Sequence, residues 1–212
     1  MSHCIPADQL RQQISHIIQM TGSEIAEAEQ VAANLVMANL SGHDSHGVGM
    51  VPRYVDAVLE GGLSPNTGVK VVLDTGPLLN LDGQRGYGQI TGVQAMEMGI
   101  ERAKKHGVCT VALSRSHHLG RIGHFAEMAV AQGLVSMHFV NVLARFGIDA
   151  FCQCVVTPRG GTLWRWRWPL WHQPLLHWRT HGQSPTLRAR LCHQPCGARQ
   201  DARGAQQRRA ST

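Results

Sequence analysis

The sequence predicts an α/β domain followed by a region of different character. Helical and strand-like patterns alternate up to about residue 142, and the composition then changes abruptly. Residues 1–150 contain 10 Lys and Arg against 13 Asp and Glu, a net charge of −3. Residues 151–212 contain 10 Arg, no Lys and the single acid Asp201, a net charge of +9. The positive charge of the whole chain therefore says nothing about the partners of the domain.

Five stretches carry apolar residues at helical spacing. They are residues 6–18, 23–42, 50–62, 87–107 and 122–133. Thr21 and Glu24 stand at capping-box spacing, which predicts the start of the second helix. Glycines close the third and fourth stretches, as expected at helix C-termini.

Between these helices, three stretches favour strands. Residues 68–83 predict a strand pair around a Thr-Gly-Pro turn, "VCTVAL" predicts a buried strand, and "LVSMHFV" predicts another. The alternation of strands with helices is typical of an α/β domain. The first residues show no signal-peptide pattern and no apolar run reaches the ~20 residues of a membrane span, so we expect a cytoplasmic protein without a membrane partner.

The stretch "GHDSHGVG" lies between two predicted helices and places His43, Asp44, Ser45 and His46 on a glycine-flanked turn. A histidine can exchange a proton near neutral pH, and neighbouring hydroxyl and carboxylate groups can bind a polar substrate. The alternative is a hydrophilic turn with local side-chain caps. The pattern alone leaves both interpretations open.

The stretch "SRSHHLGR" follows the predicted strand "VCTVAL". Ligands of open α/β domains bind at the carboxyl ends of strands, so His117, His118 and Arg121 are candidates for contact with an anionic substrate. The alternative is a loop that only caps the next helix. Adjacent histidines cannot easily share one zinc ion, and no further ligand stands at a familiar offset, so we predict no metal site.

The stretch "DGQRGYGQ" is rich in glycine but lacks the spacing G-x-G-x-x-G. It lies between a predicted strand and a predicted helix, where a glycine loop can approach a ligand. A tight turn is the more economical interpretation, because glycine is the usual residue where the backbone turns sharply. We therefore do not predict a Rossmann fold from it.

Three segments together resemble the malate/L-lactate dehydrogenase family, which is unrelated to the Rossmann lactate dehydrogenases. They are "GHDSHGVGMVPRYVDAVLEGGLSP", "LDGQRGYGQ" and "ALSRSHHLGRIGHFAEMA", and the resemblance covers about residues 8–141. It implies an α/β fold of the family's own type, a homodimer, and a nicotinamide-dependent oxidoreductase that interconverts 2-hydroxyacids and 2-oxoacids. The implied cofactor is NAD or NADP, with NADH favoured.

The same resemblance implies roles for individual residues. His46 matches the histidine that handles the proton of the substrate hydroxyl, with Ser45 beside it. His118 matches the second active-site histidine, and Ser116 precedes it in the motif. Our substrate-binding candidates are Ser45, Ser116 and Arg121. The resemblance assigns no cofactor-binding residue within this chain.

Met50 stands where many family members carry an arginine. Arginine there can hold a carboxylate with two hydrogen bonds. "SHGVGM" instead resembles the subgroup named hydroxycarboxylate dehydrogenase B. An apolar side chain at this place suggests a bulkier 2-oxoacid, which we state as a hypothesis.

All five tryptophans fall within "LWRWRWPLWHQPLLHWR". Interleaved Trp and Arg could stack on single-stranded nucleic acid or lie at a membrane interface. A third interpretation is a frameshift. Permitted codons for residues 165–178, read one nucleotide later, give "GRFGTNPFC", and residues 191–209 at the same offset give "YATS" and "GK". Both resemble downstream segments of the family.

Two matches at one offset favour the frameshift, because the shifted residues depend mostly on bases that the codons fix. We therefore predict that residues 1–142 are the N-terminal part of the dehydrogenase domain. Residues 143–212 are predicted to be an out-of-frame, irregular tail without a native domain and without a nucleic-acid partner. The chain is expected to be truncated and inactive by itself; the alternative functions are a non-catalytic remnant or a basic, Trp/Arg-tailed nucleic-acid-binding protein.

Overall fold

The structure is a computed structural model, and it describes residues 5–143, 148–156 and 186–187. The α-helices in these ranges are α1 (Ala7–Met20), α2 (Ile25–Leu40), α3 (Val51–Leu59), α4 (Gly88–His106) and α5 (Gly123–Ala131). The strands are β1 (Ile5–Pro6), β2 (Lys70–Asp74), β3 (Leu78–Asp82), β4 (Val108–Ser116), β5 (Val135–Leu143), β6 (Ile148–Val156) and β7 (Thr186–Leu187). Two short 3-10 turns, Asp44–His46 and Val48–Met50, join α2 to α3.

Five strands form one mixed sheet in the order β2-β3-β4-β6-β5. Strands β3 and β4 are parallel, whereas β2 is antiparallel to β3, and β6 is antiparallel to both β4 and β5. The parallel pair is joined through α4, because parallel strands need a long crossover connection, which is usually a helix. The other described sheet is the short antiparallel pair of β1 and β7.

Helices α4 and α5 cover one face of the sheet. Alternate residues of β3 and β4 face them and are buried in an apolar core with the helix side chains; from the strands these are Leu79, Leu81, Cys109, Val111 and Leu113. The opposite face is apolar but exposed. By register it carries Val108, Met137 and Phe139, which are all exposed. The predicted strand "VCTVAL" is therefore buried on one face only.

Helices α1, α2 and α3 pack together as a second core. Its fully buried members include Ile18, Leu35 and the rings of Tyr54 and Tyr87. Tyr54 belongs to α3, while Tyr87 immediately precedes α4. This helical core therefore meets the sheet at the N-terminal end of α4.

The predicted helices and strands of residues 6–140 are present, with two corrections. The capping box is wrong: the Thr21 hydroxyl donates to the carbonyl of Ile18 and closes α1, and the backbone N–H of Glu24 donates to Oδ1 of Asn66. The predicted loop "SRSHHLGR" begins too early, because β4 continues to Ser116. Strand β6 lies beyond residue 142, and the predicted domain boundary at that residue stays a prediction.

The tryptophan-rich segment lies outside the described residues. Among the residues that are described, no helix combines the length and the apolar character needed to cross a bilayer. In the same residues, no group of three or more His, Cys, Asp and Glu side chains is arranged to hold a metal ion.

Candidate active site

His46 lies on a turn that follows the C-terminal end of α2, and the way this helix ends sets the course of the turn. Gly42 follows this helix with φ of 77°, a left-handed conformation that suits glycine. The N–H of His43 then donates to the carbonyl of Ala38, and that of Gly42 donates to Asn39, which is a Schellman closure. The chain leaves the helix in a fixed direction, and the 3-10 turn Asp44–His46 follows at once.

The side chain of Asn39, which belongs to α2, holds this turn through two hydrogen bonds. Its Nδ2 donates to Oδ1 of Asp44 at 2.6 Å, and its Oδ1 accepts the N–H of Val48 at 2.8 Å. Gly47 passes directly over the Asn39 amide, where a Cβ would collide with the side chain. The acid and the glycine of the D-S-H-G motif therefore both serve to hold the turn, with His46 between them.

His118 is placed by the irregular end of β4. Arg115 has a left-handed φ of 53°, which is uncommon for a residue with a side chain. Its guanidinium forms an ion pair with Asp82 at the end of β3, and Nε donates to Oδ1 at 2.9 Å. The guanidinium lowers the pKa of the Asp82 carboxyl. This pair holds a distorted backbone immediately before the two histidines.

The glycine loop before α4 leaves room for the histidine segment. The N–H of His117 donates to the carbonyl of Gly86 at 3.0 Å. At Gly88, a Cβ would lie against the backbone carbonyls of His117 and His118. These glycines therefore allow two parts of the same chain to approach each other, which accounts for the loop without a ligand.

The two motif histidines meet. Nδ1 of His46 lies 2.9 Å from Nε2 of His118, which is hydrogen-bond distance. Their rings are stacked with centroids 5.2 Å apart and an interplanar angle of 12°. Both side chains are half-buried. Residues 72 positions apart are therefore brought into one titratable pair.

The hydrogen-bond chain continues into the protein through Tyr54 and Gln89. The Tyr54 hydroxyl lies 2.7 Å from Nδ1 of His118. Nε2 of Gln89 donates to the same hydroxyl at 2.5 Å. Tyr54 and Gln89 are both fully buried. Because Gln89 donates to Tyr54, the tyrosine hydrogen is available to His118, and Nδ1 of His118 then accepts it.

Burial keeps His118 neutral at pH 7. It lowers the pKa of His118 to about 4, and the charges of His46, His117 and Arg53 act in the same direction. Burial likewise lowers the pKa of His117 to about 4, with a smaller effect of Arg53. A neutral His118 that accepts at Nδ1 carries its proton on Nε2 and donates it to Nδ1 of His46. His46 then carries its own proton on Nε2.

The other three predicted site residues take no part in the contact between the two histidines. Ser45 is exposed on the turn beside His46. Ser116 is fully buried and exchanges a hydrogen bond of 2.8 Å with the Thr91 hydroxyl, under the histidine segment. Both terminal nitrogens of Arg121 donate to Glu127, at 2.8 and 2.6 Å. The structure thus joins His46 to His118 and leaves Ser116 and Arg121 with protein partners.

Arg121 borders a cavity of about 590 Å³ between α2 and α5. Gln89 lines this cavity as well, so that the cavity adjoins the hydrogen-bond chain of the histidines. The remaining lining residues include Asn34, Ser41 and His124. A second large concavity, of about 730 Å³, lies on the outer side of α1 and α2 and contains none of the predicted site residues.

A family comparison agrees with this fold and with the motifs. Residues 5–155 match the family model described as malate/L-lactate dehydrogenase. This match covers more than two thirds of the chain and includes β6, and the chain belongs to this family. The resemblance that the sequence shows is therefore confirmed, as is the α/β fold class.

Individual relatives give the same result. Hydroxycarboxylate dehydrogenase B of Escherichia coli K12 is 44% identical over 169 residues, which are 74% of this chain and 46% of the relative. A solved E. coli structure assigned to the malate/lactate dehydrogenases has a TM-score of 0.66 and 43% identity, covering 76% of this chain and 48% of that one. Malate dehydrogenase of Pyrococcus horikoshii OT3 has a TM-score of 0.64 and 33% identity, covering 66% and 40%. The chain thus spans about half the length of these relatives.

Tyr54, Gln89 and Asn39 are contacts of the site that the sequence patterns do not reveal. Tyr54 falls on the apolar face of α3, where an aromatic residue is expected in any packed helix. Gln89 opens α4 next to the glycine loop. The sequence marks Tyr54 and Gln89 only as side chains with a polar end at positions that the helical pattern buries. Such side chains need a hydrogen-bond partner.

Proposed function

We propose that this chain carries the proton-handling part of a dehydrogenase that interconverts 2-hydroxyacids and 2-oxoacids. The observation that supports it is the contact of 2.9 Å between His46 and His118. Oxidation of a hydroxyacid removes one proton from the hydroxyl oxygen and one hydride from the α-carbon. A half-buried imidazole backed by a second, neutral imidazole is suited to the proton.

In this proposal His46 exchanges the proton with the substrate oxygen and His118 supports it. His118 remains neutral because burial disfavours its charged form. To accept the hydroxyl proton at Nε2, His46 has to carry its own proton on Nδ1 and donate it to Nε2 of His118; the positive charge gained then stays on His46, because burial disfavours a charged His118. Tyr54 fixes the ring of His118, and Asn39 fixes the turn of His46, so that the pair keeps its geometry.

The nicotinamide cofactor that the family implies supplies the hydride chemistry when it is bound. The cavity beside Gln89 is lined by uncharged side chains and by the mutually compensating pair Arg121 and Glu127, so its charge suits the uncharged carboxamide. Oδ1 of Asn34 and Oε1 of Gln89 are buried there without a hydrogen-bond partner among the described residues. NADH is our preferred form over NADPH.

For the substrate, we propose a small 2-oxoacid or 2-hydroxyacid with an apolar group near Met50. This side chain is half-buried and packs against the helical core that contains Tyr54. Comparing a Met50→Arg variant with its parent, both in a version with the downstream frame restored, on pyruvate and on phenylpyruvate, tests the idea. A shift of preference towards the smaller or dicarboxylic acids is expected, and an unchanged preference would contradict the hypothesis.

We further propose that the full enzyme is a cytoplasmic homodimer and that the present chain is inactive by itself. The chain spans 46% of the hydroxycarboxylate dehydrogenase B that it resembles. The domain boundary at residue 142 and the out-of-frame origin of residues 143–212 stay predictions. The nucleotide sequence across codons 140–165 would decide them.

The experiment compares this chain with a version in which the downstream frame is restored by one nucleotide. Oxidation of NADH by 2-oxoacids is expected only in the restored version. His46→Ala should lower its kcat/KM by about 10²–10⁴, the usual contribution of a general acid–base. The matched control is His16→Ala, at an exposed position of α1. Equal activity of the His46→Ala and His16→Ala variants would refute the proposal.

A further inference from the structure

The surface of the mixed sheet opposite α4 and α5 is an apolar patch, which we call the open sheet face. Its exposed apolar side chains are Leu78, Val108, Val135, Met137 and Phe139. Each of them is between 39% and 62% exposed. The residues between Val108 and Ser114 that share this face carry no charge. An uncharged apolar patch that extends over several strands is typical of a surface that binds another element.

The chain leaves the sheet at one end of the open sheet face. Strand β6 ends at Val156, which pairs with Val108 on one side and with Val135 on the other. Trp164 follows Val156 by eight residues. Eight residues of extended chain span up to about 28 Å, whereas the part of β5 from Val135 to Phe139 is only about 14 Å long. The sequence after β6 can therefore reach all of this face.

The tryptophan-rich segment, residues 163–179, has the composition to cover an apolar surface. It contains all five tryptophans of the chain. Trp164, Trp166 and Trp168 alternate with Arg165 and Arg167. In an extended backbone the three indoles therefore point to one side and the two guanidinium groups to the other.

Charge favours an association of this segment with the domain. Residues 157–185 contain four Arg and no acid, whereas residues 1–150 have a net charge of −3. Opposite net charges attract the segment towards the domain, and the uncharged face itself places no like charge opposite the arginines. Indole and phenyl rings also attract each other beyond the effect of buried area.

We propose that the tryptophan-rich segment docks on the open sheet face of its own chain, with its indoles against Met137 and Phe139. The inference goes beyond the proposed dehydrogenase function and does not use the histidine pair. It also requires no native domain in the tail, because apolar rings, a short connection and opposite charge are sufficient. In a chain that spans about half the length of its relatives, such docking removes an apolar sheet surface from water.

The short connection favours this occupant over a second copy of the chain. A segment tethered by a few residues has an effective concentration in the millimolar range at a site that it can reach. A second copy at micromolar concentration has to compete with that tethered segment. The same surface is therefore expected to be occupied within one molecule.

Tryptophan fluorescence tests the docking directly, because all five tryptophans lie in the docking segment. The full 212-residue chain at micromolar concentration is compared with a synthetic peptide of residues 163–179. The chain should emit at shorter wavelength than the peptide, and acrylamide should quench its emission less efficiently. Both properties should stay the same on dilution, since docking occurs within one molecule.

Three variants locate the docking surface. Phe139→Lys removes an aromatic contact and should lower the ratio of docked to free segment about three- to tenfold. Val135→Lys and Val130→Lys are a matched pair, because the two valines are 57% and 69% exposed but Val130 lies on α5, on the other side of the sheet. Val135→Lys should shift the emission towards that of the peptide, and Val130→Lys should leave it unchanged.

The inference is overturned if the chain and the peptide have the same emission and quenching, a comparison that needs no variant. Equal emission of the Val135→Lys and Val130→Lys chains would also overturn it. A short-wavelength emission that is lost on dilution would assign the face to a second copy and would contradict docking within one chain. The test of the proposed function uses a restored-frame protein in which this segment is replaced, so the two results are independent.

Discussion

The two histidines of the candidate site are held by different kinds of structure. His46 lies on a turn built from neighbours in sequence, since Asn39, Asp44 and Val48 supply its hydrogen bonds. The turn is half-exposed, and glycines on both sides set its course. The geometry of this turn is therefore determined by contacts within about ten residues of the sequence.

His118 depends on contacts that are distant in sequence. It follows a strand whose last residues are held by Asp82, its backbone lies against Gly88, and its ring contacts Tyr54, 64 positions away. The difference teaches that local contacts set the position of His46, whereas the position of His118 requires helices and sheet to be packed together. Disturbing the packed region should therefore have larger effects than disturbing the turn.

The largest effect is expected from acid. The pKa values of His117 and His118 are lowered to about 4 in the folded state against an ordinary value of 6.5. Below pH 6.5 the unfolded chain binds protons that the folded histidines exclude, so the free energy of unfolding falls as pH decreases from about 6.5 to about 4. Each histidine should contribute on the order of 3 kcal/mol to this loss.

Urea unfolding at pH 7, 6, 5 and 4.5 measures this loss. The matched comparison is the double variant His117→Gln and His118→Gln, which lacks both groups and should show a flatter dependence over the same range. A wild-type chain as stable at pH 4.5 as at pH 7 would show that the two rings are not protected from protonation.

The next effect concerns the packing under His118. A Cβ at Gly88 would overlap the carbonyls of His117 and His118, and these backbone atoms cannot move independently of β4. Gly88→Ala should therefore lower the free energy of unfolding by about 1–3 kcal/mol. Gly49→Ala is the control, because a Cβ there meets nothing within 4 Å and the change is made in the turn of His46. Equal denaturation midpoints for the two variants would remove the contrast between the two regions.

Much of this architecture could be predicted from the sequence, because local patterns carry it. The helices α1 to α5 follow apolar periodicity, and the hairpin of β2 and β3 follows the Thr-Gly-Pro turn. The carboxyl end of β4 does present the second histidine motif. The family resemblance adds that both motifs belong to one site, and the structure brings His46 and His118 together.

The features that the sequence did not predict depend on which of several possible partners a polar side chain binds. Thr21 can cap either the helix before it or the helix after it, and it closes α1 because Asn66 serves the start of α2. Arg121 could bind an anion, but Glu127 one turn along α5 holds both its terminal nitrogens. Such competition is decided by three-dimensional distance, which spacing in the sequence does not give.

The smallest effect is expected in the turn of His46. Asn39→Leu removes one hydrogen bond to Asp44 and one from Val48 in a half-exposed position, and should cost about 1–2 kcal/mol. Asp44→Asn retains an oxygen that can accept from Asn39 and should change stability by less than about 0.5 kcal/mol. Hydrogen exchange of the Val48 amide measures the turn directly, and protection in the sheet should not change. If Asn39→Leu instead exposed the amides of β4, the turn and the packed region would form one cooperative unit and not two separate ones.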